Sequence, residues 1–195
     1  MGLEFELKYT ADDAQRRAVL AEFGGFSPIA METTYYDTRD GFFSARKMTL
    51  RRRMENGSAV CTLKMPGSGH GRQEFETESA TIAEAIPVLC KLSQWDDLSD
   101  YAKALVPVCG AKFTRMAATV VLPECTLEIA VDSGVLTGGG KELPLGEIEV
   151  ELKSGSEDAA VAFAEALAQR HGLQPEPKSK FRRALELGKE NGNGI

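Results

Sequence analysis

Acidic and basic side chains recur at every second position in two segments of this chain. Residues 4–8 read Glu-Phe-Glu-Leu-Lys, and residues 147–153 read Glu-Ile-Glu-Val-Glu-Leu-Lys. Carboxylate oxygens are ligands that Mg²⁺ prefers in proteins, and Lys and Arg bind phosphate oxygens. If strands bring such segments together, the combination predicts a metal–polyphosphate site.

Other segments carry the same pattern. Acidic residues alternate in 74–78 and 128–132, Arg51 and Arg53 share one strand face, and Lys64 ends an apolar run. An open sheet with one face in water explains any single segment. Carboxylates two positions apart on a strand lie ~7 Å apart and repel by roughly 0.6 kcal/mol in water, but by about 2.4 kcal/mol at an effective dielectric near 20. The number of such segments favours an enclosed ionic space, where the acids need cations.

Strands and helices must position these residues. Period-two runs are separated by turn signals such as Glu55-Asn56-Gly57 and Gly138-Gly139-Gly140. Helices are predicted over 11–23 with Thr10 as the cap, after Thr81, over 156–170 and over 178–187. The opposite strand faces are apolar and need covering. We therefore predict an α+β fold, a closed or nearly closed antiparallel β-barrel of about eight strands with a charged lumen and helices packed outside.

Composition limits the function classes. The chain has 195 residues, of which 29 are acidic and 23 basic, so its formal net charge is -6. This charge disfavours nucleic acid and anionic membranes as partners, and no segment is apolar enough to span a membrane. We expect a cytoplasmic protein with reduced cysteines, one domain over residues 1–187 and a disordered tail over residues 188–195.

The charged segments resemble, in the same order along the chain, the motifs of the CYTH superfamily, the triphosphate tunnel metalloenzymes. The matching motifs are Glu4-Phe5-Glu6-Leu7-Lys8, Tyr35-Tyr36-Asp37-Thr38, Leu50-Arg51-Arg52-Arg53, Thr62-Leu63-Lys64, Arg72 with Glu74 and Glu76, Thr114-Arg115, Glu128 with Asp132, the run from Gly146 to Gly155, and Ser179-Lys180 with Arg183. Within the superfamily, the chain looks most similar to the bacterial inorganic triphosphatases. It departs from the pattern at Ala184, where the family usually has Gly.

The resemblance implies a hydrolase that converts tripolyphosphate to pyrophosphate and phosphate with Mg²⁺ or Mn²⁺. The implied metal ligands are Glu4, Glu6, Glu74, Glu76, Glu128, Asp132, Glu147 and Glu149. The implied substrate-binding residues are Lys8, Arg51, Arg53, Lys64, Arg72, Arg115, Lys180 and Arg183. The implied catalytic residues are Glu4, Glu6, Lys8 and Lys64.

Other functions remain open at this point. The same tunnel could cyclise ATP to cyclic AMP, hydrolyse thiamine triphosphate, or bind polyphosphate or a nucleotide without catalysis. In each case the expected partner is a small-molecule triphosphate or nucleoside triphosphate, and the oligomeric state is left undetermined.

Overall fold

The computed structural model describes residues 2–67 and 72–189, and for residues 2–4 it describes the backbone alone. This part of the chain forms ten strands, six α-helices and one short 3-10 helix. The strands are β1 (Gly2–Glu4), β2 (Glu6–Thr10), β3 (Ser27–Thr38), β4 (Thr49–Glu55), β5 (Ser58–Pro66), β6 (Arg72–Glu78), β7 (Leu105–Val121), β8 (Cys125–Gly138), β9 (Lys141–Gly155) and β10 (Gln174–Pro175). The helices are α1 (Asp13–Glu22), α2 (Phe42–Ala45), α3 (Ile82–Ser93), α4 (Leu98–Tyr101), α5 (Glu157–His171) and α6 (Lys180–Lys189), and the 3-10 helix is Ala102–Ala104.

All ten strands belong to one antiparallel sheet in the order β1-β6-β5-β4-β3-β7-β8-β9-β2-β10. The two ends of this order belong to the same chain segment, because only Phe5 separates β1 from β2. The carbonyl of Phe5 accepts a hydrogen bond from the backbone N–H of Leu152 in β9, at 2.9 Å. The sheet therefore curls back on itself, and the predicted, nearly closed antiparallel barrel is confirmed.

Tight turns set the register of two hairpins. Asn56 and Gly57 join β4 to β5 with φ of 48° and 93°, and Gly139 and Gly140 join β8 to β9 with φ of 58° and 76°. Two consecutive positive φ values match the right-handed twist of the flanking strands, and Asn and Gly tolerate them best. Both turns lie where the sequence predicts them.

The helix boundaries follow capping chemistry. Asp12, rather than the predicted Thr10, caps α1, because its side chain accepts from the Gln15 N–H while the Gln15 side chain accepts from the Asp12 N–H. Thr81 caps α3 as predicted, and α5 lies between Ser156 and Gly172. Helix α6 extends to Lys189, so residues 188 and 189, which we expected in the tail, continue the helix. The rest of that predicted tail lies outside the described residues.

The hydrophobic core lies outside the barrel wall, between the sheet and its helices. Ile129 and Ile148 of the sheet pack in one cluster with Leu167 of α5, and Leu63 packs in a second cluster with Leu89 of α3. All five side chains are fully buried. Each such burial stabilises the fold by roughly 1.5–3 kcal/mol. Because the apolar face of each strand is used outside, the charged face is turned inward.

A third cluster packs α6 against β7, β8 and β9, and this contact brings α6 close to the charged side chains inside the barrel. Across residues 2–67 and 72–189, no helix combines the length and the apolar character that crossing a membrane requires.

Candidate active site

The barrel encloses a cavity of about 310 Å³, here called the lumen, whose lining is dominated by charged side chains. Twelve of the sequence-predicted site residues line it: Glu6, Lys8, Arg51, Arg53, Lys64, Arg72, Glu74, Glu76, Arg115, Glu128, Glu149 and Lys180. They come from β2, β4–β9 and the start of α6. The convergence that the sequence predicted is therefore present.

One side of the lumen is a cationic wall formed by Arg51, Arg53 and Lys64. Alternation on β4 turns Arg51 and Arg53 inward, and Lys64 of β5 pairs with Thr49 across the same hairpin. Glu74 of β6 lies 3.4 Å from Arg51 and 3.3 Å from Lys64. Glu74 thus holds Arg51 and Lys64 against the inside of the barrel, and Arg53 projects from the same face of β4.

Arg53 of the cationic wall is largely buried close to a second positive charge, that of Arg51. Burial and the neighbouring charge of Arg51 lower the pKa of the Arg53 guanidinium below its ordinary value. Its Nη2 pairs with Glu55, but its Nε is buried and has no hydrogen-bond partner among the described residues. A buried donor without a partner is costly, so an anion that reached this nitrogen would be stabilised.

The other side carries an acidic row, formed by Glu6, Glu151 and Glu128. In the register of the sheet, Glu6 of β2 is directly opposite Glu151 of β9, and Glu151 is directly opposite Glu128 of β8. Like charges directly opposite one another across a strand pair are destabilising. Lys153 Nζ lies 2.9 Å from Glu151 and 3.6 Å from Glu128, and Lys8 Nζ lies 3.3 Å from Glu6. These two lysines reduce the repulsion among the three carboxylates.

Next to the acidic row lies a buried trio of carboxylates: Asp132, Glu147 and Glu149. One oxygen from each of the three lies within 4.8 Å of the other two, close enough to hold a metal ion. Arg115 makes two 2.8 Å hydrogen bonds to Asp132 and also binds Glu149. Three carboxylates packed this closely repel strongly unless cations lie among them.

Helix α6 supplies two of those cations. Lys180 Nζ lies 2.9 Å from Asp132 and 2.6 Å from Glu149 and also binds Glu147, while Arg183 binds Glu147. With Arg115, three cations face the three carboxylates of the buried trio. These contacts tie α6 to β8 and β9.

The pKa values within the buried trio diverge. Burial raises the pKa of Glu147 to about 7, with Lys180 opposing the rise. Burial also acts to raise the pKa of Glu149, but Lys180 and Arg115 outweigh it and hold this pKa well below its usual range. Burial acts to lower the pKa of Lys180, but the surrounding carboxylates raise it. Lys180 and Glu149 are thus a fixed charge pair at the edge of the lumen.

Three predicted site residues whose side chains the structure describes are not part of the lumen lining. Asp132 and Glu147 are fully buried behind it and paired with cations. Arg183 binds Glu147 and lies 3.5 Å from Glu176, on the outer side of the same cluster. The side chain of Glu4 lies outside the described part of the chain.

The lumen also has lining residues that the site prediction missed. They are Ile29, Met31, Thr33, Tyr35, Thr49, Glu55, Phe113, Glu151, Lys153, Ser179 and Phe181. Glu151 and Lys153 continue the alternation of Glu147 and Glu149, and Glu55 continues that of Arg51 and Arg53, so the pattern contained a signal for them. Tyr35 lies two positions after Thr33 on β3, so both side chains point into the lumen. The ring centroid of Tyr35 lies 5.1 Å from that of Phe181, and burial raises the pKa of Tyr35.

Comparisons with a family model and with a curated relative agree on one protein family. The model of the CYTH domain matches residues 2–185. The inorganic triphosphatase of Haemophilus influenzae is 34% identical over an alignment of 169 residues that covers 82% of this chain and 46% of that protein. The chain thus spans about half the length of this curated relative.

Solved structures agree on the fold. HpAC1 from Hippeastrum, described as revealing a dominant triphosphatase activity, matches with a TM-score of 0.66 and 18% identity over 95% of this chain and 96% of that one. The PH1819 protein from Pyrococcus horikoshii matches with a TM-score of 0.63 and 23% identity over 94% of this chain and 99% of that one. At these identities the likeness extends to the fold alone.

Proposed function

The chain belongs to the CYTH domain family, and on this premise we propose that it is a divalent-metal-dependent hydrolase of inorganic triphosphate. The observation that carries the proposal is the lumen, in which the cationic wall and the acidic row enclose one space of about 310 Å³. The inorganic triphosphatase of Haemophilus influenzae supports the choice of substrate. The products would be pyrophosphate and phosphate.

The acidic row fits a divalent cation. Its three carboxylates are adjacent across β8, β9 and β2 and face the lumen, and Glu149 lines the lumen one inward position along β9. Mg²⁺ and Mn²⁺ favour oxygen ligands of this kind and often keep bonds to substrate phosphates. In the buried trio, by contrast, Arg115, Lys180 and Arg183 already balance the three carboxylates. We therefore propose the acidic row with Glu149 as the metal-binding side of the lumen.

The cationic wall fits the triphosphate. Phosphoryl transfer requires neutralisation of charge on the phosphate oxygens and positioning of the attacking water in line with the leaving group. Arg51, Arg53 and Lys64 project into the lumen from two paired strands, so they can bind successive phosphate oxygens along an extended chain. The buried Nε of Arg53, which has no hydrogen-bond partner among the described residues, would gain one from such a contact.

The reaction is then attack by water on a terminal phosphorus. Glu6, Glu128, Glu149 and Glu151 would hold a divalent ion, which would supply charge neutralisation and activate water. As the water oxygen bonds to phosphorus, the bond from phosphorus to the bridging oxygen breaks and pyrophosphate leaves. Lys8 and Lys64 stabilise the charge that develops on the oxygens, and a carboxylate, Glu4 or Glu6, accepts the proton of the water. The side chain of Glu4 remains a proposed part of this group.

The proposal also includes the extent of the domain and the cellular compartment. We treat residues 1–187 as one catalytic domain acting on a small molecule. We also expect a cytoplasmic protein, since the free thiols of Cys61, Cys90, Cys109 and Cys125 are compatible with a reducing compartment.

An assay of substrate and metal tests the proposal. The purified protein is incubated with tripolyphosphate, ATP or thiamine triphosphate, each with Mg²⁺, Mn²⁺ or a chelator, and the products are separated. We expect phosphate and pyrophosphate from tripolyphosphate with either metal and no turnover with chelator. Cyclic AMP from ATP, or thiamine diphosphate as the preferred product, would replace the proposal by the corresponding alternative.

Two arginines on the same strand provide a matched pair of variants. Arg53→Ala removes a lumen contact, and we expect a loss of kcat/KM of about 100-fold or more. Arg52→Ala is the control, because the Arg52 side chain points to the opposite face of β4. Its Nε donates a hydrogen bond of 2.6 Å to the Ala80 carbonyl outside the lumen. Equal activity of the two variants would contradict the role given to the cationic wall.

A further inference from the structure

A second cavity, here called the vestibule, adjoins the lumen at the α6 end of the barrel. Its volume is about 890 Å³, and it shares Lys8, Thr49, Arg72, Ser179 and Phe181 with the lining of the lumen. The two cavities are therefore neighbouring parts of one path from solvent into the barrel. The proposed catalytic chemistry does not use the outer part of this path.

The vestibule is strongly cationic in a protein that is acidic overall. Six of its lining residues are basic, namely Lys8, Lys47, Arg72, Lys178, Arg182 and Lys189, and Asp40 is the single acidic residue that lines it within the described part of the chain. Glu186 lies beside this lining and pairs at 2.8 Å with both Lys178 and Arg182. One carboxylate shared by two cations leaves a positive excess, while the whole chain has a net charge of -6.

The end of the barrel that lies away from α6 is acidic, in contrast to the cationic vestibule. β4 runs from Thr49, which lines both cavities, to Glu55, so Glu55 lies at the far end. β9 passes Glu147, which binds Lys180 of α6, before it reaches Glu151. The acidic row therefore lies away from α6. This polarity attracts a polyanion to the vestibule and repels it from the far end.

We propose that the vestibule is a binding site for the outer phosphates of a linear polyphosphate that is longer than triphosphate, while its terminal phosphates occupy the lumen. The inference rests on the proposed function, because it takes the lumen as the site of the terminal phosphates. A flexible chain that bears charge on every phosphate suits a path lined by long, adaptable Lys and Arg side chains. The exposed position of Lys178 and Arg182 makes each contact modest and salt-dependent.

The expected gain follows from Coulomb's law. One phosphate–cation contact at about 4 Å in water strengthens binding roughly fivefold, and two such contacts strengthen it up to roughly 25-fold at low salt. Size-fractionated linear polyphosphate should therefore bind more tightly than tripolyphosphate. The difference should shrink as ionic strength rises.

Equilibrium binding in the presence of chelator, which suppresses turnover, tests the inference. The Kd values of tripolyphosphate and of longer polyphosphate are measured for the wild type and for the double variant Lys178→Gln/Arg182→Gln. We expect the variant to lose roughly five- to 25-fold in affinity for the longer chain and less than about twofold for tripolyphosphate. The control is Lys91→Gln/Lys103→Gln, which changes net charge equally at residues that line neither cavity; it should keep the preference.

The outcomes separate this inference from the proposed function. Equal affinity of the wild type for both chains, or a preference that survives in the double variant, would overturn the vestibule site even if tripolyphosphate is hydrolysed. Vestibule-dependent binding of the longer chain, together with no hydrolysis of tripolyphosphate when Mg²⁺ or Mn²⁺ is supplied, would refute the proposed function alone. A single-stranded oligonucleotide that binds as tightly as polyphosphate, with the same dependence on Lys178 and Arg182, would also overturn the inference.

Discussion

Replacing Lys180 by Met should destabilise the protein more than replacing almost any other lysine. The ammonium of Lys180 lies among the three carboxylates of the buried trio, at 2.9 Å from Asp132 and 2.6 Å from Glu149. Met keeps much of the apolar stem and removes the ammonium, with its charge and its hydrogen-bond donors. The variant therefore leaves three buried carboxylates with two cations, Arg115 and Arg183.

The magnitude can be worked from the geometry. Two unit charges 4.8 Å apart, the upper limit for oxygens of the buried trio, repel by about 3.5 kcal/mol at an effective dielectric near 20. Lys180 offsets repulsion of this size between more than one pair. Proton uptake by Glu147, whose pKa burial already raises to about 7, limits the cost. We expect the free energy of unfolding to fall by about 3–5 kcal/mol, the usual cost of removing one partner from a buried ion pair.

Urea denaturation at neutral pH measures this loss. The matched control is Lys178→Met, two residues away, where an exposed lysine pairs with Glu186 and the expected loss is below about 1 kcal/mol. Adding Glu147→Gln to Lys180→Met removes one of the repelling charges and should recover part of the stability. Similar losses for Lys180→Met and Lys178→Met, or no recovery in the double variant, would refute the account of the buried trio.

Two further predictions concern stability. Gly138→Ala should lower the free energy of unfolding by about 1–3 kcal/mol in urea denaturation and also reduce turnover, because its new Cβ would overlap the carbonyl oxygen of Ala184 and displace α6. The control is Gly24→Ala, which has open space around it and should be nearly neutral. Equal losses for the two variants would count against this packing argument. Burial acts to raise the pKa of Glu22, but hydrogen bonds from His171 and Arg170 at the end of α5 outweigh it and lower this pKa. A lowered carboxyl pKa stabilises the fold above the pKa of the unfolded chain, and this stability is lost as pH falls through the folded value. Glu22→Gln should therefore cost less than about 1 kcal/mol at pH 7; the difference from wild type should begin to shrink as pH falls through the ordinary Glu pKa of about 4.3 and should vanish below the lowered pKa of the folded state. A difference that stays constant down to the lowest pH at which the protein is folded would contradict the pKa argument.

Alternation along the strands predicted most of the fold. It assigned Phe5 and Leu7 to the apolar side and Glu6 and Lys8 to the ionic side, and both assignments hold. Local turn chemistry was equally informative at Asn56-Gly57. The helix cap at Asp12 was less predictable, because Thr10 and Asp12 are both good capping residues and the choice depends on how the chain leaves β2.

The sequence predicted which strand face each site residue occupies, but not how deep in the barrel its side chain lies. A period of two tells which face of β9 a carboxylate occupies, but not how far along the barrel axis it lies. Glu147 and Glu151 share a face, yet Glu147 is buried under α6 and Glu151 lines the lumen. The difference arises from Lys180, which reaches Glu147 from a helix 33 residues later in the chain. Such a contact between distant segments depends on tertiary packing.

The most direct test of the central claim is a crystal structure of the protein grown with Mn²⁺ and tripolyphosphate. We predict an anomalous Mn²⁺ peak within coordination distance of the acidic row or Glu149, with the triphosphate, or the pyrophosphate and phosphate formed from it, beside the cationic wall. A phosphate chain bound only outside the barrel, with neither Mn²⁺ nor phosphate in the lumen, would contradict the claim that the enclosed ionic space is the site of the chemistry.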